Sequence, residues 1–291
     1  MLRSLCCQAR RHYSSSASTS SVPLAFTKYP APQPTSNSPL LVCHGLFGSK
    51  QNWRSLGKSM STRLSRDVYT LDLRNHGESP HADEHTYHAM AGDLVSFISD
   101  HELEKPILLG HSMGGKTVMA TSLLHPSLVE KLVVVDIAPF ALPLSNDFGT
   151  YVDAMREIDH AGFKKQSDAD AVLATFEKDI GVRQFLLTNL KKRPEDGVYK
   201  FRVPYETLGA ALGNMGDFSK EFSSAQYSGP TLFIAGGKSS YGKPIEQRLG
   251  EVKTMFPDSR LEVVEGAGHW VHAEKPEPFM KLIVDFIGTT K

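Results

Sequence analysis

Short apolar runs alternate with helical stretches over the first half of the chain. The predicted strands are 40–43, 68–73, 107–109 and 132–137, and the predicted helices are 53–65, 86–100 and 113–124. Strands that alternate with helices are typical of βαβ units and a mainly parallel sheet. Runs such as 132–135 are apolar without interruption, which indicates that both faces of the sheet are covered. The pattern therefore predicts an α/β fold with a mainly parallel central sheet flanked by helices.

The alternation stops at Pro139, and residues 139–228 read as helices and loops with no clear strand. Beyond them, the predicted elements are strands at 231–235 and 260–264, a helix at 245–256 and a last amphipathic helix. We expect an α/β core over 39–138 and 229–291, with 139–228 as a helical lid inserted after the strand that ends at Asp136. Helices inserted there cover the carboxyl ends of the strands, where ligands bind in open α/β sheets.

The start of the chain differs in composition from the rest. Residues 1–21 hold three arginines, many serines and no acidic residue, which is the composition of a mitochondrial transit peptide. The residues around Tyr13 resemble a matrix-processing site, so we predict a transit peptide over 1–13 and a location in the mitochondrial matrix. Residues 14–38 are rich in serine and proline and are predicted to form a linker with a candidate edge strand at 24–29.

Composition and charge narrow the class of function. Hydrophobic residues make up 40% of the chain and charged residues 22%, an ordinary globular mixture. The 32 basic residues balance 32 acidic ones, so no long-range field favours nucleic acid as a partner. No apolar run approaches the roughly 20 residues of a membrane span, and we expect no stable membrane insertion. Without residues 1–13 only Cys43 remains, which excludes an internal disulfide and fits a reducing compartment.

The segment Gly110-His111-Ser112-Met113-Gly114 has the G-x-S-x-G pattern. A serine on a sharp strand-to-helix turn needs small neighbours for the turn to close, and the helix that follows stabilises developing negative charge. Because a predicted strand precedes Ser112 and a predicted helix follows it, we predict that Ser112 is a catalytic nucleophile. The side chain of His111 should point away from Ser112 and is expected to pack.

A serine hydroxyl is a poor nucleophile until a base takes its proton, and in this architecture an acid and then a histidine follow the serine in the chain. Few histidines follow Ser112: they are His125, His160, His269 and His272. His269 lies in a loop of small residues directly after the strand at 260–264, so we predict that it is the base. His272, three residues on, is the alternative.

The acid is missing from its usual place. The loop after the strand at 231–235 has neither Asp nor Glu. Asp136 ends the preceding strand, and strand ends on one edge of a sheet converge, so we predict that Asp136 holds His269 in the correct tautomer. Asp217, in the lid, is the alternative.

The glycine-containing loop from His44 to Gly48 follows the first predicted parallel strand. In this architecture one oxyanion N–H group comes from such a loop and another from the residue after the nucleophile. We therefore assign the oxyanion hole to the backbone N–H groups of Leu46 and Met113. The side chains of Leu46 and Phe47 are expected to line an acyl pocket. Phe47 and His111 are the candidate substrate-binding residues.

Two further polar segments are predicted to take no part in the chemistry. Residues 72–79 are dense in hydrogen-bonding side chains and are expected to brace the site. His81, His85 and His88 have the spacing of a metal site, but no cysteine accompanies them, and we interpret them as an exposed polar edge. We expect neither a metal nor another cofactor.

Together the motifs resemble the α/β-hydrolase superfamily. The segments that carry the resemblance are HGLFGSKQNW (44–53), DLRNHGES (72–79), GHSMGG (110–115), VVVDIAP (133–139) and GAGHW (266–270). Within the superfamily they are similar to the group that includes alpha/beta hydrolase domain-containing protein eleven, small bacterial acyl esterases and yeast ethanol acetyltransferases. The missing acid after the strand at 231–235 also fits that group.

The resemblance implies a mitochondrial serine hydrolase that cleaves small-molecule carboxylic esters or thioesters through an acyl-serine intermediate. The yeast members imply an alternative, in which the acyl group of a thioester is transferred to an alcohol. A second alternative is a non-catalytic binding protein on the same fold, because a fold alone proves no chemistry. The oligomeric state is left open.

Overall fold

A sheet of seven strands lies at the centre of the fold. The computed structural model describes residues 21–219, 222 and 224–288. The strands, in chain order, are β1 (Phe26–Tyr29), β2 (Leu40–Cys43), β3 (Val68–Leu71), β4 (Ile107–His111), β5 (Leu132–Val135), β6 (Leu190–Lys192), β7 (Tyr199–Phe201), β8 (Thr231–Gly236) and β9 (Ser259–Val264). The central sheet has the order β1-β3-β2-β4-β5-β8-β9, and all neighbours are parallel except β1 and β3. The predicted α/β architecture with a mainly parallel sheet is confirmed.

Helices connect the strands and flank the sheet. They are α1 (Arg54–Leu64), α2 (Tyr87–Asp100), α3 (Met113–Leu124), α4 (Asp147–Ala161), α5 (Gln166–Phe176), α6 (Ile180–Leu187), α7 (Tyr205–Ala210), α8 (Leu212–Gly216), α9 (Lys243–Gln247), α10 (Leu249–Met255), α11 (Val271–Glu274) and α12 (Pro276–Ile287). Short 3₁₀ turns precede α1 and follow α3. None of the helices in the described part of the chain combines the length and apolar character that crossing a membrane requires.

Alternate residues of the parallel strands pack on opposite faces of the sheet. Leu132 and Val134 of β5 belong to a hydrophobic core that includes α2 and α3. Val133 and Val135 belong to a second core, which includes α1 and α12. The uninterrupted apolar runs are therefore buried on both faces, as their pattern indicated.

The N-terminal segment contributes one strand. β1 pairs antiparallel with β3, placing Phe26 opposite Leu71, and forms one edge of the sheet. The backbone N–H of Ala31 donates to Asp67 at 2.9 Å, which holds the chain between β1 and β2 against the start of β3. The transit peptide predicted for 1–13 lies outside the described residues.

The lid segment, defined as residues 139–228, connects β5 to β8 and contains α4 to α8. It also contains an antiparallel hairpin of β6 and β7, so the expectation that this segment has no strand is wrong. Each of these strands has only three residues, and lysines occupy half of their positions, which removes the apolar alternation that marks a strand. The remaining sequence signal is Gly197 in the intervening turn, where φ is 71°.

The helix predicted for 245–256 is divided into α9 and α10. The backbone leaves the helical region at Arg248, where φ is −119° and ψ is 33°. The Arg248 guanidinium lies 3.7 Å from the ring centroid of Phe140 and forms an ion pair with Glu251. The interruption therefore coincides with a contact between this region and the beginning of the lid segment.

Candidate active site

A sharp turn between β4 and α3 carries Ser112, where φ is 53° and ψ is −117°. The N–H of Ser112 donates to the carbonyl of Val135 at 3.0 Å, which ties the turn to β5. A side chain at Gly110 would lie 2.1 Å from the carbonyl oxygen of Gly114, so the turn closes only because position 110 is glycine. The G-x-S-x-G segment thus forms the strained strand-to-helix turn that the sequence predicts.

Asp136 and His269 meet at the carboxyl ends of β5 and β9. Asp136 directly follows β5 and is fully buried, and His269 lies in the loop after β9. Nδ1 of His269 lies 2.7 Å from Oδ2 of Asp136. An ionised carboxylate only accepts hydrogen bonds, so Nδ1 carries the proton and Nε2 is left as an acceptor. The pair has the arrangement in which a carboxylate orients a histidine base.

Ser112 and His269 line one cavity with a volume of about 670 Å³. Large apolar and aromatic side chains form much of its wall: Leu46, Phe47, Trp53, Phe148, Tyr151, Val182, Phe185, Leu186 and Trp270. The lid segment supplies five of these residues, from α4 and α6. An apolar wall around a few polar groups is typical of small-molecule sites and suits an acyl chain.

The alternative base, His272, and the alternative acid, Asp217, both lie in other contacts. The ring of His272 lies flat on Trp53, with centroids 4.2 Å apart, and burial, helped by the nearby His269, lowers the pKa of His272 to about 3. Asp217 lies in the lid segment, where its carboxylate accepts from the N–H of Phe218 at 2.7 Å. The structure therefore brings Asp136, and not Asp217, to His269.

Sequence reasoning missed two residues beside this pair. Ser239 donates its hydroxyl hydrogen to Oδ2 of Asp136, and the ring of Tyr241 lies 4.6 Å from that of His269. Both lie in the loop after β8, the loop that lacks the usual acid. The sequence signal for both residues is the absence of that acid. When the carboxylate follows β5 instead, polar residues in the loop after β8 are placed to contact it.

His111 links the turn that carries Ser112 to the loop that carries His269. Its Nε2 donates to the carbonyl oxygen of His269 at 2.9 Å. Burial, and next the neighbouring His269 and His272, lower the pKa of His111 well below its usual value. A neutral His111 therefore packs between the two loops, as expected, and its ring also lines the cavity.

Two backbone N–H groups of the loop at 44–48 are hydrogen-bonded within the protein. The N–H of Phe47 donates to Nε2 of His76 at 3.1 Å, and the N–H of Gly48 donates to the carbonyl of Gly45 at 2.9 Å. The N–H of Leu46 donates to none of the residues that the structure describes, and neither does that of Met113, the first residue of α3. These two free donors are the ones assigned to the oxyanion hole, and Phe47 lines the cavity.

Residues 72–79 contact the loop at 44–48 and the residues next to it. The carboxylate of Asp72 accepts from the Lys50 side chain at 2.5 Å and from the Lys50 backbone N–H at 2.6 Å. Nε2 of His44 accepts from the N–H of Leu73 at 3.1 Å. Burial lowers the pKa of His44 and of His76, so both rings remain neutral and able to accept. Residues 72–79 therefore brace the loop at 44–48 through packing and hydrogen bonds.

The interpretation of His81, His85 and His88 as an exposed edge holds only for His81. His85 is buried, lies beside His76 and interacts with the amide of Asn75, and His88 is half-buried. Burial lowers the pKa of His85 to about 4. Over the described ranges, no three side chains of the types that bind metals are grouped to hold an ion.

The fold and the site define the class of protein. A family model described as alpha/beta hydrolase fold matches residues 38–276. This match covers most of the chain, which therefore belongs to the α/β-hydrolase family, as its motifs implied. Its relatives include lipases and esterases, so the protein is an enzyme of the esterase-type hydrolases.

Three individual proteins show which members of the family the chain is similar to. The chain is 40% identical to the sn-1-specific diacylglycerol lipase ABHD11 of Mus musculus, over 85% of this chain and 80% of the relative. It is 38% identical to a probable alcohol acetyltransferase of Saccharomyces cerevisiae, over 86% of this chain and 77% of the relative. A solved structure of a marine microorganism esterase matches with a TM-score of 0.83 and 33% identity, over 91% of this chain and 100% of that one. The predicted group resemblance is confirmed.

Proposed function

We propose that this enzyme is a serine hydrolase that cleaves carboxylic esters or thioesters through an acyl-serine intermediate. The observation that carries the proposal is the 2.7 Å contact between His269 Nδ1 and Asp136 Oδ2 beside a cavity that Ser112 also lines. The free N–H groups of Leu46 and Met113 support it, because they supply donors for an oxyanion.

In the proposed first half-reaction, Oγ of Ser112 attacks the acyl carbonyl carbon while Nε2 of His269 takes the hydroxyl proton. The carbonyl oxygen becomes an oxyanion held by the N–H groups of Leu46 and Met113. When the tetrahedral intermediate collapses, the bond to the leaving alcohol or thiol breaks and His269 returns the proton to it. Asp136 keeps Nδ1 protonated and stabilises the imidazolium.

In the proposed second half-reaction, water attacks the acyl-serine and His269 takes its proton. The ester bond to Ser112 breaks, the carboxylic acid leaves, and the proton returns to Oγ. Phe47 and the lid residues Phe148 and Phe185 are proposed to contact the acyl chain, since all three line the cavity. His111 is proposed to form the cavity wall beside the acyl carbonyl.

Acyl transfer to an alcohol is the second candidate, favoured by the likeness to the probable alcohol acetyltransferase. The two reactions differ only in whether an alcohol or water attacks the acyl-serine. Incubation of the purified enzyme with an acetyl thioester and ethanol separates them. We expect acetic acid to exceed ethyl acetate, and Ser112→Ala to remove both products. An excess of ethyl acetate would favour the transferase. If neither product forms and a fluorophosphonate probe does not label Ser112, a non-catalytic binding protein would be favoured.

We also propose that the protein is imported into mitochondria. The support is the acid-free, arginine-containing and serine-rich composition of residues 1–21. Imaging of the full chain with a C-terminal fluorescent tag tests the proposal. We expect mitochondrial fluorescence that becomes diffuse when Arg3, Arg10 and Arg11 are replaced by Gln, and an unchanged distribution would reject the role of these arginines.

A further inference from the structure

The buried carboxylate of Asp136 accepts more hydrogen bonds than its contact with His269. The N–H of Gly236 donates to Oδ1 at 2.8 Å. The hydroxyl of Ser239 donates to Oδ2, which is the same oxygen that faces Nδ1 of His269. Asp136 is fully buried and Ser239 is only 4% exposed, so water does not compete strongly for these contacts.

The direction of the Ser239 hydroxyl is fixed by its surroundings. Its Oγ accepts from the N–H of Tyr241 at 3.1 Å, and the N–H of Ser239 donates to the carbonyl of Gly236 at 2.9 Å. A serine hydroxyl has one hydrogen to donate, and an ionised carboxylate can only accept. The hydrogen therefore points at Asp136, and the loop after β8 holds it there.

We propose that Ser239 is a positioning residue of the relay, which acts on His269 through Asp136. This inference rests on the proposed function. Hydrogen bonds to a charged acceptor are short and strong, so the Ser239 hydroxyl fixes the plane of the carboxylate. It also withdraws negative charge from Oδ2, the atom that holds the imidazolium. His269 thereby releases its proton more readily and remains a free base to lower pH.

Other titratable groups also face His269. The rings of His111 and Tyr241 lie 4.7 Å and 4.6 Å from its ring. Burial is the main cause that keeps the pKa of His111 well below its usual value, lowers that of His272 to about 3, and raises that of Tyr241. These three groups therefore keep a constant charge near neutral pH. The carboxylate of Glu274 accepts from the backbone N–H groups on either side of His269.

A matched pair of variants separates the effect of the Ser239 hydroxyl from the effect of side-chain shape. Ser239→Thr and Ser239→Val introduce side chains of nearly the same shape, and only the first retains a hydroxyl. We measure kcat and KM for p-nitrophenyl acetate from pH 5 to 8, with melting temperatures as a check on folding. In Ser239→Val we expect kcat to fall about ten- to a hundredfold with little change in KM. We also expect the acid limb of the plot of kcat/KM against pH, where activity is lost as the pH falls, to move up by about one pH unit.

Ser239→Thr should keep the acid limb within about 0.3 pH unit of the wild type, which is well below the shift that loss of a charge-assisted bond implies. Ser240→Ala, in the same loop but exposed, is the control and should leave both kcat and the profile unchanged. Identical acid limbs in the folded Thr and Val variants would overturn the proposal. Ser239→Ala is a second variant without the hydroxyl. If Ser239→Val and Ser239→Ala both fail to fold while Ser239→Thr folds, the hydroxyl is a folding determinant and the proposal is rejected.

Ser112→Ala in the same assay separates this inference from the proposed function. Activity that survives in Ser112→Ala would overturn the serine-hydrolase proposal itself. An inactive Ser112→Ala combined with an unshifted Ser239→Val would overturn only the role of Ser239.

Discussion

Single residues set the shape of the candidate site at two close backbone approaches. One lies inside the turn that carries Ser112, where a side chain at 110 would meet the carbonyl oxygen of Gly114. The other is between Gly114 and the end of β2, because a side chain at 114 would lie 2.5 Å from the carbonyl oxygens of both Cys43 and His44. The first turn of α3 therefore packs directly on the strand that leads into the loop at 44–48.

Gly114→Ala should consequently disturb two parts of the site together. A methyl group cannot be accommodated without moving the backbone of β2 or α3, and we expect a loss of about 2 kcal/mol in the free energy of unfolding, within the range for overpacking. Ester hydrolysis should fall sharply, since the N–H groups of Leu46 and Met113 move apart. Urea unfolding and a hydrolysis assay measure both effects.

Gly92→Ala is the matched control for this substitution. Gly92 lies in α2, and beyond its chain neighbours and the nearby backbone of this helix no atom lies within 4 Å of the added Cβ. Alanine is favoured over glycine inside a helix by roughly 0.5–1 kcal/mol, so this variant should be as stable as the wild type or more stable. If Gly114→Ala were as stable and as active as Gly92→Ala, the close approach would not matter.

At the residue scale, the sequence names the side chains that the structure brings to one cavity, but not those that hold them. Ser112 and His269 stand in motifs with fixed spacing, and the acid-free loop after β8 directs attention to Asp136. Ser239 belongs to no motif of its own, and His76 lies in the segment 72–79, which is expected to brace the site without any indication of the group that it contacts. Their contacts, with Asp136 and with the N–H of Phe47, join segments far apart in the chain, and only the fold reveals them.

At the scale of elements, a buried ion pair joins the turn after β3 to helix α2. Nε of Arg74 lies 2.6 Å from one oxygen of Asp93, and both side chains are almost completely buried. The other oxygen accepts from a second nitrogen of Arg74 and from the backbone N–H of Val22. The pair therefore connects residues 72–79, which contact the loop at 44–48, with α2 and the N-terminal segment.

Arg74→Gln should destabilise the protein by about 3–5 kcal/mol, because it leaves the Asp93 carboxylate buried without its cation. The double variant Arg74→Gln/Asp93→Asn buries no uncompensated charge and should recover part of the loss. Urea unfolding of the wild type, both single variants and the double variant measures the coupling. Strictly additive effects would contradict the ion-pair interpretation.

The elements were predictable where their apolar pattern is long. The predictions of the parallel strands and of α2, α3 and α12 are confirmed, since each strand buries a continuous apolar run and each helix buries an apolar face. The hairpin of β6 and β7 was not, because three-residue strands contain no period. A contact such as that of Lys116 was also unreadable: its Nζ is buried in α3 and donates to the carbonyls of Gly216 and Asp217 at 3.0 and 2.9 Å.

At the scale of the whole molecule, neutral buried histidines make stability depend on pH. Those whose pKa burial lowers include His44, His76, His85, His111 and His272. In the unfolded chain a histidine binds a proton below about pH 6.5, whereas these remain unprotonated in the folded protein. The unfolded state therefore binds more protons as the pH falls, and the free energy of unfolding should decrease from pH 7 towards pH 4.

His85→Gln should make this decrease shallower. With a folded pKa of about 4, His85 contributes to the decrease between roughly pH 6.5 and 4. Its replacement should reduce the slope between pH 6 and 5 by about 1 kcal/mol per pH unit. Urea unfolding at pH 7, 6 and 5 gives the slope, and the exposed His81→Gln is the control that should leave it unchanged. Equal slopes in the wild type and His85→Gln would show that His85 is not held neutral by burial.

The most direct measurement of the central claim is the site and rate of covalent labelling by a fluorophosphonate, read by peptide mass spectrometry. The account predicts one adduct, on the peptide that carries Ser112. Since a general base contributes about 10²- to 10⁴-fold, the labelling rate should fall by at least about a hundredfold in His269→Ala. An adduct on a different residue, or labelling of Ser112 at the wild-type rate without His269, would contradict the account.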